Sequence, residues 1–195
     1  GLYRLARLCA DGEAWLGAAP ELAELGRWML APSRPTAVRI QGCVWLTMFP
    51  SVDVARTLAA LALDEREALA VRDQAAWTLG YRQARGHHPR PRWDAAALAV
   101  ADVALLTLVE RATRAGAVTL EQLPIALRHV ARPDVVDALI AAPGLWGEAL
   151  ECFATADGAR ALWARFDAIG PAHQLRALRL VAATLGAEAA PLLLA

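Results

Sequence analysis

The chain contains no lysine and no asparagine, and only two tyrosines, two methionines, three phenylalanines and three cysteines in 195 residues. Every one of its twenty bases is therefore arginine, balanced by twenty acids to a formal charge of zero. A nucleic-acid binder usually carries a basic excess, so the balance argues against a nucleic-acid partner. Arginine and alanine codons are GC-rich, and a GC-rich bacterial coding sequence accounts for the bias without any function. Cys9, Cys43 and Cys152 are odd in number, far apart and outside any CxxC spacing. That excludes a disulfide framework and a zinc knuckle, and leaves buried thiols in a reducing compartment. No run of eighteen apolar residues is free of charge, and the N-terminus has no basic region leading into an apolar core and a cleavage site. The expectation is a cytoplasmic protein with no membrane partner. There is no Gly-rich phosphate loop, no Gly-x-Ser-x-Gly and no His-Glu-x-x-His, so no catalytic residue, cofactor or metal is expected.

What is present is alanine and leucine. With 57% hydrophobic and 21% charged residues, the chain cannot be disordered. Strong helix formers dominate while β-branched and aromatic residues are sparse, which makes the fold class all-α.

Apolar residues at helical spacing, punctuated by Pro and Gly, divide the chain into helices of about ten to twenty residues. The expected helices lie near Leu2–Cys9, after Pro20 to Pro32, Thr36–Phe49, Val54–Leu63 and Glu67–Gln83. Beyond a breaker-rich stretch they continue at Asp94–Arg114, Thr119–Ala131, Val135–Ala141, Trp146–Phe153, Ala159–Ile169 and His173–Leu185. Ser51 or Asp53 can cap the fourth; Gly158 and Gly170-Pro171 read as stops. Trp28 and Trp77, at helical spacing from leucines, read as core.

One stretch nearly occurs twice. Ala37-Val38-Arg39-Ile40-Gln41 returns as Ala70-Val71-Arg72-Asp73-Gln74, a shift of 71 − 38 = 33 residues. The same shift superposes Leu25 on Leu58, Leu30 on Leu63 and Leu46 on Leu79. A fixed period of this length is the mark of a solenoid, in which each unit hides its apolar face only against its neighbours. The helices from Pro20 to Gln83 then form two antiparallel pairs, and the second member of each pair carries the Val-Arg step.

Residues 51–83 resemble a HEAT repeat of the short bacterial type. The likeness rests on Leu61-Ala62-Leu63-Asp64, an acidic turn, and Val71-Arg72-Asp73-Gln74-Ala75-Ala76-Trp77-Thr78-Leu79-Gly80. Residues 20–49 match more weakly, with Ala31 where Asp64 stands and Gly42 where Ala75 stands. The half beyond Trp93 departs from the pattern, returning to it loosely at Leu175-Arg176 and Ala183-Thr184-Leu185-Gly186. The resemblance implies a right-handed α-α superhelix, a HEAT-like solenoid of about five helix pairs over residues 1–195, with a break in regularity at 84–93. It further implies that Asp64 and Arg72 serve in stacking one repeat on the next, with Arg39 at the position equivalent to Arg72. The chain opens on Gly1 and closes on Pro191-Leu192-Leu193-Leu194-Ala195, where a solenoid would normally carry a polar cap, so it is expected to be a piece of a longer protein.

The best candidate for partner binding is the segment from Gln74 to Trp93. It holds Arg82, Arg85, Arg90 and Arg92 with His87 and His88 and no acid. Arginine forks suit carboxylates and phosphates; an ordinary solvated loop is the competing reading. His87-His88 lacks a second ligand pair at a recognisable metal spacing. Trp93 reads either as an interface anchor or as the staple of the next helix. Asp64, Glu65 and Glu67 form a turn rather than a catalytic dyad. Together with the family likeness these residues imply a non-catalytic protein–protein interaction scaffold whose protein partner the sequence leaves open. Other proteins of similar repeats modify proteins, act as chromophore lyases or grip nucleic acid, and these stand as the alternatives.

Overall fold

The computed structural model describes residues 19–49, 51–80, 93–115, 120–127, 133–141 and 150–193. Among them every regular element is helical and no strand occurs, as the composition requires. The expected helix at Leu2–Cys9 lies outside the described residues. The chain divides into two compact units, residues 1–101 and 102–195.

The first unit is built from α1 (Ala19–Met29), α2 (Thr36–Leu46), α3 (Val52–Leu63) and α4 (Leu69–Gly80). The starts and stops follow local chemistry. Pro35 opens α2, accepting on its carbonyl the N–H groups of Val38 and Arg39 at 2.9 and 3.1 Å. Ser51, in extended conformation, caps α3 by accepting the Val54 N–H at 3.2 Å, which relieves one of the four orphan donors of a helix start. Asp53 sits in the first turn of α3 instead, where an acid opposes the positive end of the helix dipole.

Packing joins α1 to α2, α3 to α4, and α2 to α4. Two antiparallel hairpins thus meet through their second members, the ones that carry the 33-residue duplication. Leu46, Leu58 and Leu79 are fully buried, and each side chain removed from water in this way stabilises the fold by about 1.5–3 kcal/mol. Two glycines matter for the contact between α1 and α2. A Cβ on Gly26 would stand 2.6 Å from Leu46 Cδ2, and one on Gly42 would stand 3.0 Å from Leu30 Cδ2 and Met29 Cβ. Glycine is therefore what lets α1 and α2 approach. Trp45 closes the same interface: it is buried with Ala23 and Phe49, stacks at 5.7 Å on Phe49, and donates its indole N–H to the Leu22 carbonyl at 2.7 Å.

The long helix α5 (Ala95–Ala115) begins at Asp94, whose Oδ1 accepts the Ala97 N–H at 2.7 Å. Ala97, Ala101, Ala104, Leu105, Leu108 and Val109 form its buried stripe, at the i, i+4, i+7 spacing of one helix face.

The second unit continues with α6 (Leu123–Ala126), α7 (Pro133–Ala141), α8 (Ala156–Trp163), α9 (Pro171–Leu185) and α10 (Ala189–Leu193), with 3-10 turns at Leu150–Phe153, Phe166–Ala168 and Gly186–Glu188. Here α8 packs on α9, on α7 and on the turn at Leu150–Phe153, around Phe153, Leu150, Leu162, Ala177 and Val181. Gly186 ends α9 at φ 54°, the left-handed region where a side chain is strained.

Several expected elements are corrected. The helix expected from Thr119 to Ala131 is, in its described part, a single turn at Leu123–Ala126, because Pro124 has no N–H to continue a ladder begun earlier. The helix expected at Trp146–Phe153 is described only as the 3-10 turn Leu150–Phe153. Gly158 is no stop: it lies in the first turn of α8, where Thr155 Oγ1 caps its N–H at 3.1 Å. Its Cβ would stand 2.9 Å from Phe153 Cα, so the glycine serves close packing. Trp28 is not core; it is 54% exposed.

Candidate functional site

Arg82, Arg85, His87, His88, Arg90 and Arg92 lie outside the described residues. Trp93 is half-buried at the head of α5, beside the capping Asp94. The remaining candidates, Arg39, Arg72 and Asp64, are all in the first unit.

Arg39 and Arg72 each occupy the fourth position of a hairpin's second helix, and each does the same thing with its Nε. Arg39 donates to the Leu30 carbonyl at 3.0 Å, and Arg72 donates to the Ala62 carbonyl at 3.3 Å. Both carbonyls belong to the last turn of the preceding helix or the residue after it, where four acceptors lack intrahelical donors. The duplicated Val-Arg step thus closes each hairpin on itself. Gln174, fourth in α9, donates its Nε2 to the Ile169 carbonyl at 3.0 Å, repeating the move with a different side chain.

Arg39 does something more. Its Nη1 donates to Glu67 Oε1 at 2.5 Å and its Nη2 to Glu67 Oε2, a bidentate fork in which the two side chains are 9% and 10% exposed. Glu67 precedes α4 and also accepts the Ala68 N–H at 2.8 Å. One guanidinium therefore ties the end of the first hairpin's leading helix to the turn of the second hairpin. A second link runs deeper, where Thr78 Oγ1 of α4 donates to the Cys43 carbonyl of α2 at 3.4 Å. Asp64 acts locally: its N–H closes α3 on the Ala60 carbonyl and its Oδ1 accepts the Arg66 N–H at 2.9 Å. In sequence Glu67 reads as an acid of the turn at the head of the expected helix Glu67–Gln83, which does not reveal a partner 28 residues back; the helix itself begins at Leu69.

Cys43 lies fully buried beneath this bridge. Burial, opposed by Arg39 and reinforced by Glu67, pushes its thiol from the ordinary 9.0 up to about 12. A thiol held neutral and sealed from solvent is no nucleophile in the folded state.

At the turn between α1 and α2 the arrangement is open to solvent. The guanidinium carbon of Arg34 lies 3.6 Å from the ring centroid of Trp28, and Leu69, at the start of α4, is also exposed. Within the second unit, Arg160 pairs with Asp157 at 3.1 Å and Glu188 at 2.8 Å at the rim of a shallow open cleft of about 360 Å³ that Trp163 and Leu185 line. Arg165 forks onto Asp137, with Nη2 to Oδ2 at 3.0 Å, and that contact raises the guanidinium's already high affinity for its proton.

Among the described residues no group of three or more His, Cys, Asp or Glu side chains could hold a metal ion, and no helix is long and apolar enough to cross a membrane. No family model, curated protein or solved structure matches the chain.

Proposed function

We propose that this chain is a non-catalytic protein–protein interaction scaffold, built of HEAT-like repeats wound as a right-handed α-α superhelix. The observation that carries the reading is the packing of α2 on α4 together with the arginine that repeats at the same helix position 33 residues apart and closes each hairpin in the same way. A unit repeated in sequence and in hydrogen bonding, and joined to its neighbour by Arg39 and Glu67, is the construction that lets short helix pairs too marginal to stand alone form an extended surface. In this reading Arg72 and Arg39 serve stacking, Asp64 shapes the turn, and the arginine-rich segment 82–92 with Trp93 supplies a partner contact.

Chemical cross-linking in the source cell, followed by purification of the chain and identification of attached proteins, tests the proposal. A protein recovered with the intact chain and lost when Arg82, Arg85, Arg90 and Arg92 are changed to Gln supports a scaffold that uses this segment. Recovery of no protein by the intact chain contradicts the scaffold reading.

A further inference from the structure

We propose that Trp28 and Arg34 form a preassembled receptor for a side-chain carboxylate on an acidic segment of a partner protein. The inference rests on the scaffold reading and gives it a second contact, made by residues other than those of the arginine-rich segment.

Three features set this pair apart. First, Trp28 is 54% exposed, whereas Trp45 is buried and Trp77, Trp93 and Trp163 are half-buried. This large apolar ring is left partly in water, and the Arg34 guanidinium covers part of it. Second, the arginine is fixed before any ligand arrives. Pro32 and Pro35 restrict the backbone on either side of it, the Arg34 N–H donates to the Ala31 carbonyl at 2.9 Å, and the stacked ring holds the side chain. Third, no acid pairs with this charge among the described residues. Arg27, Arg39 and Arg56 of the same unit each pair with a carboxylate, on Glu24, Glu67 and Asp53. Arg34 instead meets the indole face, and its covered Nε has no hydrogen-bond partner among the described residues.

A guanidinium stacked on an aromatic face keeps its in-plane N–H edge for a carboxylate, and its side-chain entropy is already lost. With Arg27 neutralised by Glu24, the local unpaired charge is positive, which selects an anion. The Arg39 guanidinium group bonds both the Leu30 carbonyl, four residues before Arg34, and Glu67, which holds the chain on the α1 side of this turn in place. The complementary segment carries Glu or Asp next to an aromatic or aliphatic residue. Tryptophan and arginine are also the residue types that most often dominate binding energy at protein interfaces.

The test uses the full chain, with the indole N–H resonance of Trp28 assigned by its disappearance in Trp28→Phe. The probe is the capped peptide Glu-Phe-Glu-Leu-Glu, with Gln-Phe-Gln-Leu-Gln as its neutral counterpart. The acidic peptide is expected to shift the resonance saturably. Its affinity should fall about tenfold or more in Arg34→Gln, as expected for loss of a charge-assisted hydrogen bond, and should stay unchanged in Arg56→Gln. Helical circular dichroism confirms that Arg34→Gln folds. Equal binding of the neutral peptide, undiminished binding by Arg34→Gln, or a stronger response to inorganic phosphate or a thymidine oligonucleotide would overturn the proposal. A cross-linked partner that binds Arg34→Gln as tightly as the unaltered chain removes this contact and leaves the scaffold standing. A peptide bound through Arg34 with no protein partner recovered leaves the carboxylate site and removes the scaffold.

Discussion

Arg39 and Glu67, 28 residues apart, form a buried fork that binds one helical hairpin to the next, while the Nε of the same arginine closes its own hairpin on Leu30. Two demands meet in one side chain, and that makes the pair sensitive. Glu67→Gln leaves a buried guanidinium without its counter-charge and should cost about 3 kcal/mol, the lower end of what breaking a buried ion pair costs. Replacing the pair together, with Arg39→Met and Glu67→Leu, should cost less than the two single changes summed, because no charge is then stranded. Urea unfolding of Glu67→Gln and of the four proteins of the Arg39→Met/Glu67→Leu cycle measures both values.

Glycines should respond to substitution by the space around them. Gly26→Ala gains helix propensity of about 1 kcal/mol, yet its new methyl meets Leu46 Cδ2 at 2.6 Å, and overpacking costs about 1–3 kcal/mol. The net effect should be a loss. Gly158→Ala should lose more than Gly26→Ala, since the obstacle is the backbone of Phe153 at 2.9 Å, which yields less readily than a side chain. Gly170→Ala meets nothing within 4 Å at φ −56°; the entropic gain of about 0.4–1 kcal/mol is offset by the preference for glycine over alanine at the N-cap of α9, so stability should stay nearly unchanged. Thermal unfolding of the three variants should rank Gly170→Ala most stable, Gly26→Ala next and Gly158→Ala least.

Much of the first unit was legible because its signals are local. Pro35, Ser51 and Asp94 mark helix starts through their own chemistry, and the duplicated Val-Arg step marks equivalent positions in α2 and α4. The pairing of Arg39 with Glu67 was not legible, since nothing in an acidic turn tells which of Asp64, Glu65 and Glu67 reaches back 28 residues. Trp28 was misplaced for a related reason: its spacing from Leu22 and Leu25 fits a buried face, but the helix ends just after it, and Arg34 then takes the position of a core neighbour. In the second unit Pro124 and Gly158 misled in opposite directions, one starting a turn inside an apolar run and the other sitting within a helix as a packing residue.

Stability should fall in alkali through Cys43. Its folded pKa of about 12 stands above the ordinary 9.0, so the neutral thiol's contribution is fully present below about pH 9 and is lost as pH rises towards 12. In that window stability should decline by up to about 1.4 kcal/mol per pH unit from this group alone. Cys43→Ala should remove that component, and the difference between the two denaturation profiles isolates it. Native-state alkylation of Cys43 at neutral pH should be far slower than in urea, because the thiolate is both scarce and inaccessible.

The fourth-position donors should be worth roughly equal amounts wherever they close a single carbonyl. Arg72→Met and Gln174→Leu each remove one hydrogen bond to a helix-end carbonyl and should each cost about 1 kcal/mol. Arg39→Met should cost distinctly more, as it also strands Glu67. Chemical denaturation of these three variants decides whether the position or the charge pair carries the stability.

Native-state hydrogen exchange on Glu67→Gln tests whether neighbouring hairpins hold each other in place. If they do, a change made in the turn before α4 lowers amide protection in α2 and in the last turn of α1 as well as in α4. Protection lost only across residues 68–80, with α1 and α2 unchanged, would show that each hairpin stands alone and would contradict the stacked arrangement.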